Sequence, residues 1–273
     1  MKPIVTPVNF SSCSGNSARY AADLAQAIGA DLLLIHVIEI PTTSSDMVVT
    51  EALYEEVVES ANSSLKELQF DLRRRTCHSI KIEIRMEVGS VIGKMKELCQ
   101  EIQPYAVVLG ASGPTLEKFL AGSPVSSLLH NLNYPVLVIP EAVTFHQFRH
   151  VLLACDLDDI GSGIPLSLPL LKDLRQYFGS RFDIVTVETG KVLSEEQKTF
   201  QCESWKDQLK DLYPEIHYVS NSRVEDGIQE YLSKHETDLV MFFPKKHSLF
   251  EFHISQSKKF AKHSTIPVMS LHE

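Results

Sequence analysis

Two stretches of this chain recur at nearly the same interval. Asp238-Leu239-Val240-Met241-Phe242 stands 133 residues after Tyr105-Ala106-Val107-Val108-Leu109, and Ile266-Pro267-Val268-Met269 stands 132 residues after Tyr134-Pro135-Val136-Leu137. Each is a short apolar run, the pattern of a strand buried on both faces. Offsets that agree this closely predict an internal duplication, with the join near Pro140 to Gln147.

The remaining segments fit the same scheme. In the first half, apolar runs at Ile4 to Val8, Leu32 to Val37, Ile80 to Met86, Ala106 to Leu109 and Val136 to Ile139 predict five strands. Between the first two, Ala18, Ala21, Ala22, Ala25 and Ile28 fall at helical spacing, and Gly29 is placed to cap that helix. Leu53, Val57, Ala61, Leu65 and Leu68 form the stripe of a second helix within Ser45 to Arg75. Its basic end, Arg73-Arg74-Arg75, suits a helix C-terminus. A third helix is read over Gly89 to Glu101. The second half repeats the order, with strands at Val151 to Cys155, Phe182 to Val187 and Ile216 to Val219 preceding the two repeated runs. Strands alternating with helices in this way make the fold class α/β: two tandem, open, mostly parallel five-stranded sheets flanked by helices. The domain boundaries are read as 1–142 and 148–273.

Composition narrows the function classes. At 273 residues with 44% hydrophobic content the chain has enough apolar surface for two cores. Asp and Glu number 35 against 26 Lys and Arg, a net charge of −9, so the basic excess of a nucleic-acid binder is missing. The first apolar run is too short for a signal sequence or membrane span, and a cytoplasmic protein with no membrane association is expected. Five scattered cysteines form neither a disulfide framework nor a zinc ribbon, and reduced buried thiols are expected. Eleven histidines, among them His235, His247, His253 and His263, form no HExxH-like ligand set. His36 falls on a central strand, where a hydrogen-bonded structural role is expected. No GxSxG elbow or GxxxxGK[ST] loop occurs, and Ser11, Ser12 and Cys13 lack an identifiable base, so no catalytic residues are assigned.

One segment carries the elements of a ligand site. After the fourth strand come Gly110-Ala111-Ser112-Gly113, eight further residues, and then Gly122-Ser123-Pro124 opening a helix. Glycines admit a phosphate close to the backbone, and a helix N-terminus points free N–H groups at an anion. A loop at the carboxyl end of a strand in an open parallel sheet is also where ligands bind. A second reading stands beside this one: Ser123 as N-cap and Pro124 as first helical residue are sufficient to start a helix and nothing more.

Taken together, Ile4-Val-Thr-Pro-Val-Asn-Phe-Ser11, Leu34-Ile-His-Val-Ile38, Gly110-x-x-Gly113, Gly122-Ser123 and Tyr134-Pro-Val-Leu-Val-Ile139 resemble the universal stress protein family. The resemblance covers most of residues 1–140, and from about Phe148 onward only the strand order is similar. It implies an adenine-nucleotide α-hydrolase-like fold, and, for a tandem member, two halves paired as an internal pseudo-dimer, with further homodimerisation left open. It also implies a site for ATP or a related adenine nucleotide in the first domain. Carried over, Asn9 with its neighbours Pro7 and Val8 matches the acidic position after the first strand. Val37 matches the backbone contact from the second, and Gly110, Gly113, Gly122 and Ser123 match the phosphate loop.

The match has departures. Asn9 replaces an Asp, the stretch between Gly113 and Gly122 is one residue short, and Val125 stands where a hydroxyl residue meets phosphate. In the second domain Asp156 keeps the acidic position, yet the corresponding loop from Phe243 to Ser255 has no glycine. Lys245, Lys246, Lys258, Lys259 and Lys262 form a basic cluster there, read as a solvated surface. Two functions follow from the resemblance. One is a regulatory protein that binds an adenine nucleotide weakly in its first domain, without enzymatic turnover. The other is a stress-associated interaction module that has lost the nucleotide and recognises an unknown protein partner. The retained glycines favour the first.

Overall fold

A computed structural model of the chain describes residues 2–39, 51–111, 128, 132–155, 164–189, 194–242 and 266–271. It divides into two compact units, and among the described residues the chain passes from the first to the second between Phe145 and His146. The first holds β1 (Ile4–Pro7), α1 (Ser12–Ile28), β2 (Leu32–Ile38), α2 (Glu51–Arg75), β3 (Ile82–Val88), α3 (Val91–Ile102), β4 (Ala106–Ala111) and β5 (Val136–Pro140). Its strands lie in the order β3-β2-β1-β4-β5, every pair parallel. The second holds β6 (His150–Ala154), α4 (Ile164–Phe178), β7 (Arg181–Glu188), α5 (Glu195–Gln208), β8 (Glu215–Ser220), α6 (Val224–Leu232), β9 (Leu239–Phe242) and β10 (Val268–Ser270). Its order, β8-β7-β6-β9-β10, repeats that of the first, again all parallel.

Strands β2, β4 and β5 are mostly apolar and buried, as expected where helices cover both faces of a parallel sheet, whereas the edge strand β3 carries Glu83, Arg85 and Glu87 and is only partly buried. Ile4, Val5, Leu32, Leu34, Ile35 and Val107 are almost wholly buried, each contributing about 1.5–3 kcal/mol of transfer free energy. Helix α1 starts earlier than its apolar period. Ser11 caps it, accepting from the Ser14 N–H, and Gly29 ends it at φ 71° with its N–H turned back on Ala25 and Gln26. Helix α2 buries Ala61, Leu65 and Leu72 but leaves Leu53 and Val57 exposed, so the predicted stripe is real only in its second half. At its basic end Arg75 grips Asp23 of α1 with two hydrogen bonds of 2.7 and 2.8 Å, and Arg73 donates to the Ile82 carbonyl.

Thiol positions give a direct check on this packing. Cys13, Cys99 and Cys155 are buried and Cys77 is exposed. Burial pushes the Cys99 thiol up to about 12, and it raises that of Cys13 with a smaller push from Glu141. Since the thiolate is the reactive form, brief alkylation of the native protein at pH 8 is expected to label Cys77. Cys13, Cys99 and Cys155 should stay unlabelled until denaturant is added, as read by peptide mass spectrometry.

Candidate functional site

The strand order of the first unit contains a switch point. From β1 the chain moves to β2 and β3 on one side, then returns to β4 and β5 on the other, so the loops after β1 and β4 part in opposite directions. The carboxyl ends of β1 and β4 are therefore where an open parallel sheet presents its ligand crevice. Pro7, Val8, Asn9, Val37 and Gly110 all lie at this edge. Gly113, Gly122, Ser123 and Val125 fall outside the described residues, as do Asp156 and the Lys245 to Lys262 cluster of the second half.

The edge is built by an ordered ending of the β1–β2 ladder. The last bond runs from the Val8 N–H to the Ile35 carbonyl at 2.8 Å. The Val8 carbonyl then accepts from Nδ1 of His36 at 2.7 Å. A carbonyl can only accept, so Nδ1 carries the hydrogen. Alternate residues of a parallel strand direct their N–H and C=O to opposite neighbours. Leu32 and Ile38 bond toward β3, through Lys81 and Gly89 respectively, and Ile35 bonds toward β1. Val37 has the parity of Ile35, so its backbone polar groups face the β1 side, one step past the last ladder bond.

Beyond Val8 the chain turns sharply. Phe10 adopts φ 61°, a left-handed conformation uncommon for a bulky residue. Its ring rests 4.6 Å from that of His36 and stays 40% exposed. Oδ1 of Asn9 accepts from both the N–H (3.2 Å) and the Oγ (2.7 Å) of Ser11, which commits both lone pairs of that oxygen to the entry of α1. The Asn9 N–H in turn donates to Ser14 Oγ at 3.3 Å. Ser12 Oγ donates to Glu141 at 2.8 Å, which brings a carboxylate to the positive end of α1 and makes that terminus unfavourable for a second anion.

Gly110 lies inside β4, paired with Ile139 of β5, rather than in the loop after the strand. A Cβ on it would meet the Cys13 carbonyl oxygen at 2.5 Å and Cys13 Sγ at 2.8 Å. The glycine is therefore required by the approach of α1 to β4. His36 is hydrogen-bonded as the sequence suggests, but its position on the ladder end makes it a latch for the edge as well, which the sequence reading did not assign. Two features of the sequence point to it: its alternation with Val37 and its place two residues after Leu34 on a central strand.

The model of the universal stress protein family matches residues 1–140. Universal stress protein G of Escherichia coli O157:H7 is 30% identical over 144 residues, covering 50% of this chain and 98% of that protein. A universal stress protein of Methanocaldococcus jannaschii is 28% identical over 145 residues, covering 50% of this chain and 81% of its own. Among solved structures, a universal stress protein from Archaeoglobus fulgidus superimposes with a TM-score of 0.75 at 18% identity, covering 99% of this chain and 98% of that one, a likeness of fold through both halves. With the family model covering just over half of its length and its strand order repeated in both units, the chain belongs to the universal stress protein family.

Proposed function

We propose that the first unit binds ATP or a related adenine nucleotide weakly, and that the bound state serves regulation rather than turnover. The observation that carries this reading is the backbone of Val37, turned toward β1 past the end of the ladder at the switch-point edge. A purine edge offers a donor and an acceptor, which a paired backbone N–H and C=O can meet in plane. Phe10 adds an exposed aromatic face at the same edge. Phosphate contact falls to Gly113, Gly122, Ser123 and Val125, following β4.

Asn9 sets the affinity in this reading. With its Oδ1 committed to Ser11, it meets a ribose through its amide N–H, whereas a carboxylate would accept from ribose and from Ser11 together. Asn9→Asp is therefore expected to tighten ATP binding several-fold, about 1 kcal/mol, while keeping the entry of α1 intact. Calorimetric titration of both proteins checks this, alongside denaturation of the purified chain and identification of any small molecule released. A nucleotide among the released material supports the reading; equal or weaker affinity in Asn9→Asp removes the role given to Asn9.

The basic residues from Lys245 to Lys262 keep a second function in view, recognition of an acidic protein partner by the second half. The described residues include no helix long and apolar enough to cross a membrane.

A further inference from the structure

The second unit gathers a different set of groups at the opposite, amino edge of its strands. Asp183 is directly paired with Glu215 across β7 and β8, and His217 follows two residues after Glu215, so alternation places all three side chains on one face. Nε2 of His217 stands 3.8 Å from Oδ1 of Asp183 and 3.9 Å from Oε2 of Glu215, and the three ligand atoms lie within 4.8 Å of one another. These separations are too long for hydrogen bonds. They are close to the roughly 3.4 Å between donors that share one tetrahedral ion at bond lengths near 2.1 Å.

Two buried atoms at this place lack a conventional partner. His217 Nε2 is inaccessible and makes no hydrogen bond, and the same holds for the hydroxyl of Tyr231. Tyr231 is 4% exposed on α6, with its ring 5.0 Å from that of His217. Its phenol, pushed up by burial and then by the adjoining Asp183 and Glu215 carboxylates, lies beside Asp183 without closing a bond of normal geometry. Burying such groups unpaired is unfavourable. A cavity of about 290 Å³, lined by His217, Tyr231, His235, Glu230 and Lys234, adjoins the cluster at His217. His235 closes the far side of Tyr231, stacked at 3.9 Å, with Nδ1 donating to the Tyr231 carbonyl.

We propose that Asp183, Glu215 and His217 form a binding site for one divalent first-row transition-metal ion of the zinc type, with the Tyr231 hydroxyl orienting the Asp183 carboxylate. One imidazole and two carboxylates suit this class better than the all-oxygen preference of calcium or magnesium. Glu215 is largely exposed, so its carboxylate is free to swing toward the other two ligands. A phenol donating to a ligating carboxylate is the kind of outer contact that fixes ligand orientation. The site owes nothing to the nucleotide reading, since it lies in the other unit.

The test is equilibrium dialysis and calorimetry of the full chain with Zn²⁺, followed by Co²⁺ as a spectroscopic probe. The wild type is expected to take up one saturable equivalent, with visible d–d absorption from bound Co²⁺. Glu215→Gln, Asp183→Asn and His217→Ala should each weaken uptake by at least ~10–100-fold, and Tyr231→Phe by about 10-fold. Glu215→Gln alters an exposed side chain and keeps the test valid if a more buried variant misfolds. His78→Ala, a change in the first unit, should alter nothing. Absence of saturable uptake by the wild type, or unchanged uptake in Glu215→Gln and Asp183→Asn, overturns the assignment.

Discussion

Replacing Trp205 by alanine is expected to destabilise the second unit by about 3–5 kcal/mol, the range for emptying a fully buried aromatic site. Trp205 is 0% exposed, and among the described residues of α5 no other is buried. The helix is otherwise polar, with Phe200 pointing to solvent, so propensity cannot hold it against the sheet. Its capping box at Ser194 and Gln197 fixes where it starts but not where it docks. Leu209 and Leu212, buried just beyond, extend the same anchor. Loss of Trp205 should therefore release α5 together with its C-terminal turn. As the chain's only tryptophan, it also reports on itself: wild-type fluorescence should be blue-shifted and move red on unfolding. Chemical denaturation followed by circular dichroism measures the variant, and an unfolding free energy within about 0.5 kcal/mol of wild type would contradict this account.

The second large effect is expected at Gly110. Alanine there places a methyl group 2.5 Å from a backbone oxygen of Cys13, and backbone cannot rotate away as a flexible side chain would. Overpacking of this kind costs about 1–3 kcal/mol, and the upper end applies where α1 must shift against β4. The same measurement on Gly29→Ala, whose Cβ would meet nothing within 4 Å, isolates a different cause, the positive φ of 71° alone. Gly110→Ala should cost more than that control. Equal losses would mean that α1 accommodates the methyl group and that the close approach is not a constraint.

Most of the strand layout in β2, β4 and β5 was legible because those strands are buried on both faces. Runs such as Leu32 to Ile35 and Val136 to Ile139 must then be apolar throughout, and their boundaries shift by only a residue or two. Helices were read less well wherever burial is partial. The first turn of α1, Ser12-Cys13-Ser14-Gly15-Asn16, shows no apolar period, and only the Ser11 cap marks it. In α2 the residues Leu53 and Val57 satisfy the period and still face outward.

At the site the difficulty is that the deciding neighbours are distant in sequence. Glycine spacing suggested a phosphate role for Gly110, but the nearest atoms to its absent Cβ belong to Cys13, at the start of α1. Asn9 is a credible ribose ligand by residue type, yet Ser11 claims its oxygen. The Asp183, Glu215 and His217 cluster was missed because its members come from two strands joined only by register. The one local signal is Glu215 and His217 separated by a single residue, which on a strand places both on one face.

The central claim is a single adenine-nucleotide site in the first unit, and titration of ATP with Mg²⁺ into wild type and Gly113→Val tests it most directly. In this reading a valine at Gly113 would place a branched side chain where the phosphates approach the backbone. The account predicts about one site per chain in the wild type and no measurable binding in Gly113→Val, with the unfolding midpoint unchanged. Absence of heat in the wild type up to millimolar ATP, or equal affinity in the variant, would contradict it.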